Sequence, residues 1–239
     1  MEIKIDCAGY AIAADWYEGK DSARILIVLP GYTSSKAWQK SHAQAMVRDT
    51  GTSAIVVDFS GHGNSPFELR DTRPAQHFLE LIYVFDWLKQ SYPNAVLSVT
   101  ASSYGGYLAA HLTQYRQFDN LVLRAPAIYR PTTFYDPWSM RIDNHSDYDE
   151  EITKYRRDRT SLAKHPFLIS AAAFKGQVLV VVHENDGVVP GATTDAYINA
   201  FQADSQIAVG CSHTIDKNII GADLFTSYQD NIAGWLNSR

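Results

Sequence analysis

Four short runs of this chain, Arg24–Leu29, Ala54–Asp58, Leu121–Arg124 and Val178–Val182, are apolar from end to end apart from an occasional charged terminal residue. A strand with one face in water alternates apolar and polar side chains. These runs do not alternate, so both of their faces must be buried, which requires helices on the two sides of a mostly parallel sheet. Val96–Ala101 and Ser205–Val209 read as further strands, and Ile3–Asp6 with Tyr10–Tyr17 as an opening hairpin. Helical spacing fills the gaps. Phe78, Leu81, Ile82, Phe85 and Leu88 recur on one face after a cap at Asp71 or Thr72, with Pro74 in the first turn. Leu224, Tyr228, Ile232, Trp235 and Leu236 form the stripe of a last helix. The expected class is α/β, a single domain over residues 1–239, a length suited to one core.

One stretch breaks the alternation. From about 127 to 170 no strand is legible, aromatic residues are dense, and basic and acidic side chains are equal in number. So long an excursion in a compact domain is commonly functional. The aromatic content argues against disorder, and the stretch reads as a small cap insertion over the ends of the sheet. Tyr135 and Trp138 within it are candidates for lining a substrate pocket, or for the cap's own core.

Chemistry enters at Ala101-Ser102-Ser103-Tyr104-Gly105-Gly106, which lies between the Val96 strand and a helix beginning near Tyr107. A strand turning sharply into a helix exposes the residue at the apex, and small residues two places before and after it relieve the crowding. Ser103 has Ala101 and Gly105 at those places, and Ser102 is not so flanked. A serine hydroxyl needs a base to take its proton and a third group to orient that base. Val178–Val182 runs into His183-Glu184-Asn185-Asp186-Gly187, and Ser205–Val209 into Gly210-Cys211-Ser212-His213. Asp186 and His213 therefore follow strand ends, where such sheets present functional groups. The chain order Ser103, Asp186, His213 suits a nucleophile, an acid and a base on a doubly covered sheet.

At these residues the chain resembles the α/β-hydrolase superfamily, and the likeness extends over nearly its whole length. The resemblance implies an α/β-hydrolase fold with Ser103 as nucleophile, Asp186 as acid and His213 as base. Leu29-Pro30-Gly31-Tyr32-Thr33 is similar to the loop after the family's third strand, so the Tyr32 and Tyr104 backbone N–H groups would form the oxyanion hole. Asp58-Phe59-Ser60-Gly61-His62-Gly63-Asn64-Ser65 resembles the family's Asp-x-x-Gly-x-Gly-x-Ser supporting loop. Two positions depart from the pattern. Pro30 stands where a histidine is usual, and Ala101 where the elbow usually begins with glycine.

Other titratable residues fit less well. His183 precedes Asp186, against the expected order, and Glu184 would approach from another angle. His42, His77 and His111 fall in helices, His62 in the supporting loop, and His145 and His165 in the insertion. Cys211 is not on an elbow and reads as a small buried residue. Asp149-Glu150-Glu151 reads as an acidic helix start, and Arg156, Arg157 and Arg159 as that helix's solvated face.

The net charge of −5 disfavours nucleic acid as a partner, and no apolar run approaches a membrane span. Two cysteines make no disulfide framework, and the first residues lack a signal peptide's apolar region, so a cytoplasmic protein is expected. The sequence carries no signal of oligomeric state. The expected function is a carboxylesterase-like serine hydrolase acting on a small or medium soluble ester, with no metal or organic cofactor. Tyr104-Gly105-Gly106-Tyr107 also resembles the elbow exit of prolyl-oligopeptidase relatives, which keeps a serine peptidase open. A catalytically silent binding protein on the same fold is the alternative of another class.

Overall fold

Each apolar run of the sequence is a strand of one eight-stranded sheet in the computed structural model, which describes residues 1–239. The chain opens with β1 (Glu2–Asp6) and β2 (Ala11–Tyr17), paired antiparallel with Ile5 opposite Ile12. It continues through β3 (Asp21–Leu29), α1 (Lys36–Thr50), β4 (Thr52–Val57), α2 (Pro74–Ser91), β5 (Val96–Ser102), α3 (Tyr104–Leu112) and β6 (Asn120–Arg124). Four short helices follow: α4 (Ser139–Asp143), α5 (His145–Arg157), α6 (Arg159–Ala163) and α7 (Pro166–Ser170). The chain closes with β7 (Gln177–His183), α8 (Gly191–Phe201), β8 (Asp204–Ala208), α9 (Lys217–Ile220) and α10 (Ala222–Asn237).

Strand order across the sheet is β1-β2-β4-β3-β5-β6-β7-β8, and only β2 runs antiparallel to its neighbours. From β3 the chain moves one way to β4, and then returns past β3 to β5. The order therefore reverses between β3 and β5. Loops leaving the carboxyl ends of those two strands diverge there, and the crevice between them is where open α/β sheets bind ligands.

Period-2 geometry divides each strand between two cores. Leu26, Val28, Ala54, Val56 and Val122 pack with Ala43 and Met46 of α1 and with Tyr228, Ile232 and Leu236 of α10. Ile25, Ile27, Leu29, Ile55 and Val57 face the other way, with Phe78, Leu81 and Phe85 of α2, Leu108 of α3 and Tyr197 of α8. Burial on both faces explains why the strands lack alternation. Residues 52–57 of β4 are all buried.

The N-cap of α2 is Arg73, not Asp71 or Thr72, and Pro74 is its first residue. Asp71 ends a 3-10 turn, Leu69–Asp71, and the Thr72 hydroxyl donates back to the Leu69 carbonyl. That preceding turn ties up the residues that looked like caps.

Residues 127–170 contain no strand and are largely helical. They do not stand off as a separate layer: Trp138, Ile152, Leu162, Phe167 and Leu168 belong to the same core cluster as α2, α3 and α8. Asp149, Glu150 and Glu151 lie in the middle of α5 rather than at its start. Asp149 pairs with Arg141 at 2.9 Å and Glu151 with Arg130 at 2.7 Å. Arg156 is not on a solvated face either. It is 4% exposed, and its Nε donates to the Ile128 carbonyl at 3.0 Å. A helix packed on a core must bury some side chain at each such position, and here a backbone carbonyl satisfies the arginine.

Among the buried histidines, two are expected to make the fold acid-sensitive. His165 Nε2 donates to the Tyr129 carbonyl at 3.0 Å, and His183 Nε2 is 3.0 Å from the Tyr228 hydroxyl. Burial pushes both imidazoles down to about 4. In the unfolded chain they titrate near their ordinary value, about 6.5. A depressed histidine contributes its full stability above that unfolded value and loses it as pH falls towards 4. Linkage gives about 2 kcal/mol lost per residue by pH 5. Urea midpoints are therefore expected to fall between pH 7.5 and pH 5, and His165→Gln should shrink that difference. Equal midpoints at the two pH values would contradict it.

Candidate active site

Ser103 sits at the turn between β5 and α3 with φ 49° and ψ −113°, a conformation that non-glycine residues rarely adopt. Its surroundings hold it there. Its N–H donates to the Arg124 carbonyl at 3.0 Å, and its carbonyl accepts from Ala127 N at 3.0 Å. Two residues on, a Cβ at Gly105 would lie 2.5 Å from the Pro30 carbonyl oxygen and 2.9 Å from the Leu29 Cβ. Only glycine permits α3 to pack this closely on the end of β3. The loop after β3 also passes directly beside the serine, since a Cβ on Gly31 would touch the Ser103 Cβ at 3.4 Å.

The loops after β7 and β8 bring two more groups to the same place. His213 Nε2 is 3.0 Å from Ser103 Oγ, and His213 Nδ1 is 2.8 Å from Asp186 Oδ2. The other carboxylate oxygen accepts from Val188 N at 2.8 Å and Val189 N at 2.9 Å. Burial works against the charged form of Asp186. The hydrogen bonds from His213 and from those amides outweigh it and hold the carboxyl below its ordinary range. A charged Asp186 accepts the Nδ1 proton, which leaves the Nε2 lone pair facing the serine hydroxyl.

Tyr104 is the first residue of α3, so its N–H has no intrahelical partner and lies at the positive end of the helix. The Tyr32 N–H makes no hydrogen bond within the protein. The loop carrying it is braced from below: Thr33 N donates to His62 Nε2 at 3.3 Å, and His62 Nδ1 donates to the Ser60 carbonyl at 3.1 Å. Burial lowers the His62 pKa, which keeps the ring neutral, as an acceptor at Nε2 requires. Beneath it Asp58 accepts from Lys36 N at 2.6 Å and Asn64 N at 2.9 Å, while Ser65 Oγ donates to the Asp58 carbonyl. The Asp58–Ser65 segment is thus a bracket joining β4, α1 and the loop after β3. With His62→Ala, kcat is expected to fall about tenfold at nearly constant KM, as for a positioning residue. Steady-state kinetics checks this, and an unchanged kcat would contradict it.

A cavity of about 310 Å³ opens beside Ser103. Its walls are Gly31–Ser34, Trp38 and Gln39 of α1, Ser102, Arg124 and His213–Ile215. Neither aromatic residue expected to line the pocket is among them. Tyr135 is 71% exposed and borders a separate groove with Phe78, Tyr115 and Phe134. Trp138 is buried, with its ring 4.5 Å from that of Tyr32 and 5.3 Å from that of Tyr104. Arg141 covers Tyr32 at 4.3 Å. The insertion therefore backs the Tyr32 loop from behind instead of walling the cavity.

The alternatives considered from sequence have other partners. Glu184 accepts from Gly210 N at 2.8 Å, and His183 is bound to Tyr228. Cys211 is fully buried and its thiol is pushed up by burial. His77 accepts from the Tyr104 hydroxyl at Nδ1, 2.8 Å away, and its Nε2 faces the Ser60 carbonyl at 2.9 Å. Sequence reasoning did not single out Trp38, Gln39, Arg124, Thr214 or Ile215. Only Arg124 carried a signal: it is a cation that ends the apolar run Leu121–Leu123 of β6.

A family model described as serine aminopeptidase, S33, matches residues 20–146, more than half of the chain. No curated protein matches the sequence. An esterase from Pyrococcus furiosus superposes with a TM-score of 0.72 at 17% identity, covering 100% of this chain and 92% of its own. An esterase from Pyrobaculum calidifontis gives 0.73 at 15% identity, covering 100% and 82%. An alpha-beta serine hydrolase homologue from Coxiella burnetii gives 0.66 at 14% identity, covering 97% and 96%. At these identities the likeness bears on the fold: an α/β-hydrolase fold.

Proposed function

Because this chain belongs to the serine aminopeptidase S33 family of α/β-hydrolases, we propose that it is a serine hydrolase of carboxylic esters acting through an acyl-enzyme on Ser103. The observation that carries this is the single imidazole of His213, within hydrogen-bond distance of both Ser103 Oγ and Asp186 Oδ2. Nε2 takes the hydroxyl proton as Oγ attacks the ester carbonyl carbon. Asp186 holds the tautomer and stabilises the imidazolium. The oxyanion that forms is held by the N–H groups of Tyr32 and Tyr104. Collapse expels the alkoxide, which takes the proton from Nε2. Water then attacks the acyl group with His213 again as base, releasing the carboxylic acid and restoring the serine. Residues 127–170 act as a cap that stiffens the Tyr32 loop, within a single domain over residues 1–239.

The family's description makes an aminopeptidase the second reading. Such an enzyme must bind a substrate ammonium, which calls for unpaired carboxylates at the cavity. Asp186 is engaged with His213, and Asp149 and Glu151 are engaged with arginines. Arg124 lines the cavity and would repel an ammonium. The ester reading is therefore preferred. Steady-state turnover of p-nitrophenyl acyl esters beside aminoacyl anilides tests it: esters are expected to be cleaved far faster, and the reverse order would favour the peptidase. A fluorophosphonate probe is expected to label the wild-type protein, and failure to label would favour the silent binding protein. No helix is long and apolar enough to cross a membrane.

A further inference from the structure

Arg124 is the last residue of β6, in register with Ser102 of β5, and its carbonyl accepts the Ser103 N–H. Its side chain points to the α1/α10 side of the sheet, the face of Val122, and reaches the wall of the Ser103 cavity. It is 4% exposed. Nη2 donates to Gln39 Oε1 at 2.7 Å and the Tyr228 hydroxyl lies close by, but Nε has no partner. No carboxylate pairs with it, and no acidic side chain lines the cavity.

A guanidinium stays charged when buried, and a buried charge without a counter-charge is strongly unfavourable. Seven other arginines, 48, 70, 116, 130, 141, 159 and 239, each pair with an Asp or Glu, and Arg24, Arg73 and Arg157, which do not, are outside the buried core. Buried Arg156 is held instead by backbone carbonyls. Arg124 alone combines burial, an unpartnered N–H and a place in the wall of the Ser103 cavity. The groups around it are ordered without neutralising it: Gln39 on α1, and beneath them His42 with Gln229, Thr100 and a depressed pKa. The missing acceptor is a planar anion, which a guanidinium binds through paired N–H bonds.

We propose that the ester substrate carries a carboxylate, and that Arg124 binds it beside the scissile bond. The inference rests on the ester-hydrolase reading and names the substrate class of the same site. Gln39 steers the guanidinium, and the uncharged walls around it leave the anion as its only ionic partner. With an overall charge of −5 the protein as a whole does not attract such a substrate, so its recognition falls to Arg124 in the cavity wall.

Two matched pairs of substrates test the proposal. Mono(p-nitrophenyl) glutarate against p-nitrophenyl valerate places the carboxylate on the acyl side. The m-acetoxybenzoate ester against m-tolyl acetate places it on the leaving group. In at least one pair the acidic member is expected to be preferred about tenfold in kcat/KM, carried by KM. Arg124→Gln should bring that ratio to one or below, and Arg124→Lys should keep part of it. Gln39→Glu supplies an internal carboxylate to the guanidinium and should abolish the preference even if the Arg124 variants fold poorly. Calorimetric titration with glutarate should show binding to the wild type and none to Gln39→Glu. Ester turnover with no acidic preference and no glutarate binding would overturn the proposal while leaving the ester reading intact. Glutarate binding lost in Gln39→Glu, with no ester cleaved, would uphold the anion site and overturn the ester reading. An acidic preference unchanged in Arg124→Gln and Gln39→Glu would also overturn the proposal.

Discussion

Ser103→Ala is expected to abolish ester turnover, lowering kcat by about 10⁶-fold, while the thermal midpoint stays within a degree or two. In the proposed mechanism the hydroxyl forms the covalent bond, so without it the remaining groups have nothing to activate. The fold should not suffer, since the unusual backbone at φ 49° is imposed by hydrogen bonds from the main chain, which alanine keeps. Fluorophosphonate labelling should vanish with turnover. Ser102→Ala is the matched control: Ser102 lines the same cavity but ends β5, and its hydroxyl makes no hydrogen bond with His213, so labelling should persist. Turnover or labelling that survives in Ser103→Ala would remove Ser103 from the mechanism.

Asp186→Asn should lower kcat by about 10⁴-fold with little change in KM. The carboxylate accepts three N–H groups, two from the backbone at Oδ1 and one from His213 at Oδ2. Asparagine keeps an oxygen for the backbone pair, so its NH₂ group would face His213 Nδ1. The ring would then carry its proton on Nε2 and could not accept one from Ser103. Because the wild-type carboxyl is held below its ordinary range, it remains charged through the whole range from pH 5 to 8. A pH series of wild-type kcat should therefore show no step from the Asp186 carboxyl between pH 5 and 8. Glu184→Gln should change kcat little, because the Glu184 carboxylate accepts from Gly210 N and makes no hydrogen bond with His213. A large loss there with a small one at Asp186 would exchange their roles.

The parts of this protein legible in the chain are those set by local rules. Continuous apolar runs required a sheet covered on both faces, and the strands lie within a few residues of where the pattern put them. That Ser103, Asp186 and His213 come together was legible because each follows a strand end and is flanked by residues that permit a tight turn. Residues 127–170 were less legible. Their helices are short, and α4, α6 and α7 each span only five residues, too few for a helical stripe to stand out. Their place was set by packing against α2, α3 and α8. Burial of Arg156 there, and of Trp138 against Tyr32, could not follow from spacing within the segment.

By itself the sequence determined the sheet, its two-sided cover and the order in which serine, acid and histidine leave it. Those depend on periodicity and on turn chemistry, which act over a few residues. Only the tertiary structure decided what surrounds the serine. The cavity wall is drawn from α1, the end of β6 and the loop after β8, segments far apart in the chain. It left Arg124 buried there without a counter-ion. A strand-terminal arginine is exposed or buried, paired or unpaired, according to the side chains that other segments bring to it. Here α1 and α10 bring an amide and a phenol and no carboxylate.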